Sequence, residues 1–112
     1  MKLSERSQAE LVQAMRDAVV YVYTPLCGTC KAGERMMEVV AELAGTSPGA
    51  PEFVKLNVNY AYELAREWRI ESVPCMIRIK EGRLAGKRYR LGGADELLHW
   101  VNGESRSCEQ RS

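Results

Sequence analysis

Histidine is almost missing from this chain, with His99 the one example, and charge of either sign is barely in excess: 16 Lys and Arg face 15 Asp and Glu, a net +1 at pH 7. So small a net charge gives no long-range attraction to nucleic acid or to an acidic membrane, and neither is expected as a partner. Long apolar runs are lacking too. The longest near the start, residues 19–23, is far too short to cross a bilayer. The opening Met1-Lys2-Leu3-Ser4-Glu5-Arg6 holds no apolar signal region, so a cytoplasmic chain is expected. There is no internal repeat and no low-complexity segment. What is present suits one globular domain: 112 residues, 46 % of them hydrophobic, enough to bury a core without staples. We expect that domain over residues 1–103, followed by a polar, frayed tail at 104–112.

Cysteine is sparse but placed in a telling way. The four lie at 27, 30, 75 and 108. With a full core and no export signal, a disulfide framework is not expected. The pair in Cys27-Gly28-Thr29-Cys30 follows an apolar run and opens a long amphipathic segment. A cysteine at a helix N-terminus faces unpaired N–H groups and the positive end of the dipole, which stabilise a thiolate. A thiolate attacks disulfides, and a second thiol three residues on can close a disulfide and release the mixed intermediate.

The remaining pattern supplies the frame. Ser7 and Glu10 have capping-box spacing, which predicts a helix starting near residues 4–7 and running to about Asp17, with Leu11, Met15 and Ala18 on one face. Residues 19–23 read as a strand buried on both sides. From Cys27 a helix carries Met36, Met37, Val40, Leu43 and Ala44 on its apolar face. Gly45, Pro48, Gly49 and Pro51 then make a loop. A strand at 53–58 follows. Next comes a short helix, capped by Asn59, with Ala61, Leu64, Ala65 and Trp68 inward. A strand after Val73-Pro74 turns at Glu81-Gly82 into a strand at 84–91. A last helix at 94–102 has Leu97, Leu98 and Val101 inward. Trp68 and Trp100 read as packing residues. The order α-β-α-β-α-β-β-α predicts an α/β fold, a central mixed sheet with helices on both faces.

With Cys27-Gly28-Thr29-Cys30-Lys31 after a buried strand, Lys55-Leu56-Asn57-Val58-Asn59 at a strand end, Ser72-Val73-Pro74 before a hairpin and Gly92 near the end of the last strand, the chain resembles the thioredoxin family over residues 4–102. The resemblance implies a thioredoxin fold and a monomeric thiol–disulfide oxidoreductase. Cys27 is then the nucleophile and Cys30 the resolving thiol, with Gly28, Thr29 and Lys55 in support. It implies a cis bond before Pro74 and a substrate surface of Leu26, Ser72, Val73, Pro74 and Gly92. Disulfide-containing clients, and a recycling reductase or low-molecular-weight thiol, are the implied partners, with no cofactor.

The chain departs from the family pattern at several places. Leu26 stands where a Trp is usual, Thr29 where a Pro is, and Arg35 where a helix-kinking Pro is, so a straighter helix is expected. Tyr21 replaces the buried Asp that moves a proton from the second cysteine. A phenol with a pKa near ~10 is no general base at neutral pH. Lys55 is retained without that carboxylate, and either favours a thiolate on Cys30 or turns to solvent. Lys31, one residue past the pair, either assists the thiolate or is solvated. The loss of the carboxylate keeps open a non-catalytic binding or redox-sensing module. Zinc is the rival chemistry. A closed site needs four ligands, and beyond the pair only Cys75, Cys108 and His99 are candidates, so no metal is expected. Cys75 is either a small buried residue or a third redox thiol, and Cys108 an incidental thiol in the tail.

Overall fold

The computed structural model describes residues 3–14, 16–45 and 49–103. The chain runs β1 (Ser4–Glu5), α1 (Gln8–Ala14), β2 (Asp17–Tyr23), α2 (Gly28–Ala44) and β3 (Glu52–Asn57). It continues through a 3-10 turn (Val58–Tyr60), α3 (Tyr62–Glu67), β4 (Cys75–Lys80), β5 (Arg83–Arg88) and α4 (Ala94–Val101). The strands form one sheet in the order β1-β3-β2-β4-β5. β3 runs parallel to both β1 and β2, while β4 is antiparallel to β2 and to β5. The fold is thus the expected α/β mixed sheet.

Because side chains alternate across a strand, β2 feeds both layers. Val19 and Tyr21 join Met37, Val40, Ala41, Met76, Leu97, Trp100 and Val101 under α2 and α4. Val20 and Val22 join Leu11, Leu64, Trp68, Cys75 and Ile77 under α1 and α3. This double coverage is why residues 18–22 form an unbroken buried run, and both tryptophans are buried packing residues. Among the described residues no helix is long and apolar enough to cross a membrane.

Local chemistry explains the element ends. The capping box at α1 is reciprocal: the Glu10 N–H donates to Ser7 Oγ (3.2 Å) and the Ser7 N–H to Glu10 Oε1 (2.8 Å). The first helix is shorter than its periodicity predicts. Asp17 opens β2 opposite Lys80, and its carboxylate accepts from Arg78 Nη1 at 2.6 Å, so strand pairing takes the chain before a further turn can form. Ala18 is therefore a strand residue, not part of a helix face, and Met15 lies outside the described residues. α2 is continuous over its whole length, but Leu43 is exposed and Ala41 takes the inward position instead. Pro48 in the following loop lies outside the described residues, as does 104–112 with Cys108. Asn59 does not cap the short helix: α3 starts from Ala61 with no side-chain cap bond, and Asn57 instead caps the 3-10 turn before it, its Oδ1 accepting the Asn59 N–H at 3.0 Å. The strand predicted over 84–91 is in place from Arg83 but ends at Arg88, where Arg88 Nε donates to the Arg90 carbonyl and the ladder stops.

Candidate functional site: the dithiol at the start of α2

Cys27 is the N-cap of α2, in extended conformation (φ −98°, ψ 112°). Its Sγ accepts the Cys30 N–H at 3.1 Å, so the sulfur occupies the place of a capping oxygen and meets the free donors of the first turn. The Thr29 hydroxyl lies 3.2 Å from the same sulfur. Cys30 is buried one turn inside, while Cys27 is partly exposed. The two form a disulfide with Cα atoms 5.2 Å apart. Gly28 has open space around it. The turn before the pair is closed by the Cys27 N–H on the Thr24 carbonyl (3.2 Å), and Asn59 Nδ2 donates to Thr24 Oγ1 (3.3 Å), tying it to the 3-10 turn.

The sheet register brings the other expected site residues to the same end. Val22 on β2 pairs with Cys75 on β4, so segment 24–27 leaving β2 and segment 72–74 entering β4 share one edge of the molecule. The Val73–Pro74 peptide bond is cis. Leu26 is 97 % exposed, Ser72 is exposed, and Val73 and Pro74 are half-buried. Gly92 follows β5 at that end with φ +65°, and a Cβ there would run into Glu96.

Beneath the dithiol lies an arrangement that sequence reasoning missed. Tyr21, fully buried, donates its hydroxyl to the Cys30 carbonyl at 2.7 Å. Lys55, on β3 opposite Tyr21, neither faces open solvent nor lacks a carboxylate. Its Nζ is 2.8 Å from Glu34 Oε2, in a pair whose side chains are each 23 % exposed. The ammonium also lies 5.4 Å from the centre of the Tyr23 ring. Burial first, then the Glu34 charge, raises the Tyr21 phenol well above its usual range. Tyr23 is raised by burial, by its bond to Glu5 and by Glu34. Only the four-residue spacing of Cys30 and Glu34 was visible in sequence; the partner 21 residues away was not.

The thioredoxin family model matches residues 1–102. The chain belongs to the thioredoxin family. It is 35 % identical over 90 residues to a thioredoxin-like protein, YusE, of Bacillus subtilis (strain 168), covering 80 % of this chain and 81 % of that relative. It is 33 % identical over 88 residues to a thioredoxin of Mycoplasmoides gallisepticum, covering 79 % and 84 %. A mutant thioredoxin from Halobacterium salinarum NRC-1 superposes with a TM-score of 0.74 at 20 % identity, over 95 % of this chain and 92 % of that one, and this likeness shows the fold. As a thioredoxin-family member with a Cys-x-x-Cys pair, the chain is a thiol–disulfide oxidoreductase.

Cys75, weighed from sequence as a third redox thiol, is fully buried in the layer under α1 and α3, on the sheet face away from α2. Burial pushes its thiol up to about 12, so at neutral pH it offers almost no thiolate for exchange. Among the described residues no cluster of three or more His, Cys, Asp or Glu has a metal-holding arrangement. Lys31 is exposed.

Proposed function

We propose that this thioredoxin-family enzyme reduces disulfides in partner proteins or small thiol compounds by way of Cys27 and Cys30. The carrying observation is the Cys27 sulfur at the N-cap of α2, with the Cys30 thiol buried one turn behind it. The Cys27 thiolate attacks one sulfur of a client disulfide. A Cys27–client bond forms, and the other client sulfur leaves as a thiolate that takes a proton. Cys30 then loses its proton and attacks Cys27, the Cys27–Cys30 bond forms, and the second client thiolate departs and is protonated. Two electrons pass from the dithiol to the client. A reductase or a low-molecular-weight thiol returns them.

The exposed Leu26 offers apolar contact beside the nucleophile, while Gly92 and the Ser72–Val73–Pro74 segment give an extended client a backbone to lie along. Gly28 and Thr29 make the first helical turn between the two sulfurs, and the Thr29 hydroxyl is a donor to a Cys27 thiolate. The cysteine pattern suits a reducing cytosol, and we assign the working form as a monomer there.

Reduction of insulin in the presence of dithiothreitol tests the reading. The parent should turn over and Cys27→Ser should not, while pre-reduced Cys30→Ser, freed of dithiothreitol before insulin is added, should halt as a stable mixed disulfide through Cys27. A parent that accepts electrons but does not accelerate insulin reduction would instead be a redox sensor or binding module.

A further inference from the structure

The second half of that cycle needs a proton acceptor. Cys30 is 2 % exposed, so its thiol cannot pass a proton freely to bulk water. Of the charged groups on the elements packed around it, Asp17 and Glu52 stand at the far ends of β2 and β3, held by Arg78 and Arg6. Glu42 lies three turns along α2, and on α4 Glu96 is held by Arg88 while Asp95 and His99 are exposed. On β2, Tyr21 gives its hydroxyl to the Cys30 carbonyl and Tyr23 gives its own to Glu5 of β1. Neither phenol is ionised at neutral pH, since burial raises both. On β3, Lys55 is a cation. On α2 itself, Lys31 and Arg35 are exposed cations and Glu38 lies two turns away. Glu34 remains. It stands four residues past Cys30, and on a helix that spacing sets Cβ atoms about 5–6 Å apart on one face. Its carboxylate is turned inward by the Lys55 bond, and its charge acts on both Tyr21 and Tyr23.

We propose that Glu34 is the base that takes the Cys30 proton, directly or over one water, and that Lys55 is the positioning residue that holds it there. The inference rests on the dithiol reading above and deepens it. In the step the Cys30 S–H bond breaks and the proton passes to the Glu34 carboxylate. The Cys30 sulfur bonds to Cys27, and the client thiolate leaves. Glu34 returns the proton to that thiolate or to water. The base that β2 lacks at Tyr21 is thus supplied from the helix.

Rapid mixing of reduced full-length protein with a chromogenic aromatic disulfide separates the two half-steps, in a Cys108→Ser background that removes the tail thiol. The first, concentration-dependent release reports attack by Cys27; the second, concentration-independent release reports resolution by Cys30. In Glu34→Gln the first phase should match the parent. The second should slow by about tenfold or more at pH 7, a modest share of what general bases contribute, and should climb steadily with pH toward the parent rate. Glu34→Asp should restore part of it. Lys55→Met, which leaves the carboxylate but frees it, should slow the second phase less than Glu34→Gln does. A second phase in Glu34→Gln with the parent's rate and pH profile overturns the proposal, as does equal slowing of both phases. If Glu34→Gln does not fold, an unchanged second phase in Lys55→Met overturns it. A parent with no first phase fails the function itself, a different readout.

Discussion

The Tyr21 hydroxyl is held from two sides. It donates to the Cys30 carbonyl, and Gly33 packs against it with no side chain between. A Cβ at Gly33 would collide with that hydroxyl and come within 2.8 Å of Leu91 Cδ1. Leu91 can turn aside, but the phenol cannot without breaking its bond. Gly33→Ala therefore sets a helix-propensity gain of about 1 kcal/mol against an overpacking cost of about 1–3 kcal/mol. We expect a net loss of stability. Tyr21→Phe opens the space, so the Ala substitution should cost at least about 1 kcal/mol less in that background. Urea unfolding of the four proteins gives this coupling, and equal costs in both backgrounds would sink the steric account. At this scale the sequence was only half legible. Cys27 and Cys30 declared themselves because their chemistry follows from adjacency. The Glu34–Lys55 pair did not, because it exists only once α2 lies over β2 and β3. The sequence reading of an orphaned Lys55 failed for that reason.

Whole elements were most readable where local chemistry and tertiary packing agree. The Glu81-Gly82 turn is the clearest case. Lys80 pairs with Arg83 across a two-residue loop, and both loop residues have positive φ, 54° and 77°. That is a type I′ turn, whose twist matches the strands it joins. Gly82 adopts its conformation freely, whereas Glu81 carries a side chain into a left-handed region that costs L-residues about 1–2 kcal/mol. Asparagine tolerates that region and is favoured at this position, so Glu81→Asn should stabilise the protein by about 0.5–1 kcal/mol. A rise in the urea midpoint at constant slope would show it. An unchanged or lower midpoint would mean that the turn conformation does not limit stability. Local signals failed where long-range pairing decides. The helical periodicity of Leu11, Met15 and Ala18 overshot because β4 claims Asp17 and Ala18. β1 escaped notice because two residues carry no pattern and gain their identity only by pairing with Val54 and Lys55.

At the scale of the molecule, the two core layers meet in the central sheet, and β2 shows both in its sequence as an uninterrupted apolar run. Cys75 belongs to the layer farther from α2, and its environment ties the fold's stability to pH. In the folded chain its thiol is held up to about 12; in the unfolded chain it ionises near about 8.5. The folded pKa is the higher one. Its contribution is therefore whole below about pH 8.5 and is lost as pH rises towards 12, because only the unfolded chain can then shed the proton. The raised Tyr21 and Tyr23 phenols add to the loss above about pH 10, where unfolded tyrosines ionise. Unfolding measured on oxidised protein, with Cys108→Ser, leaves Cys75 as the one titrating thiol. Stability should fall between about pH 8.5 and 10, with Cys75 contributing up to about 1.4 kcal/mol per pH unit. Cys75→Ala should be less stable at pH 7, from the volume it vacates. It should nonetheless lose less on going to pH 10, so that the two curves converge. Parallel curves would mean that the thiol ionises as readily in the fold as out of it, and Cys75 would then have to be reconsidered as a partner in exchange.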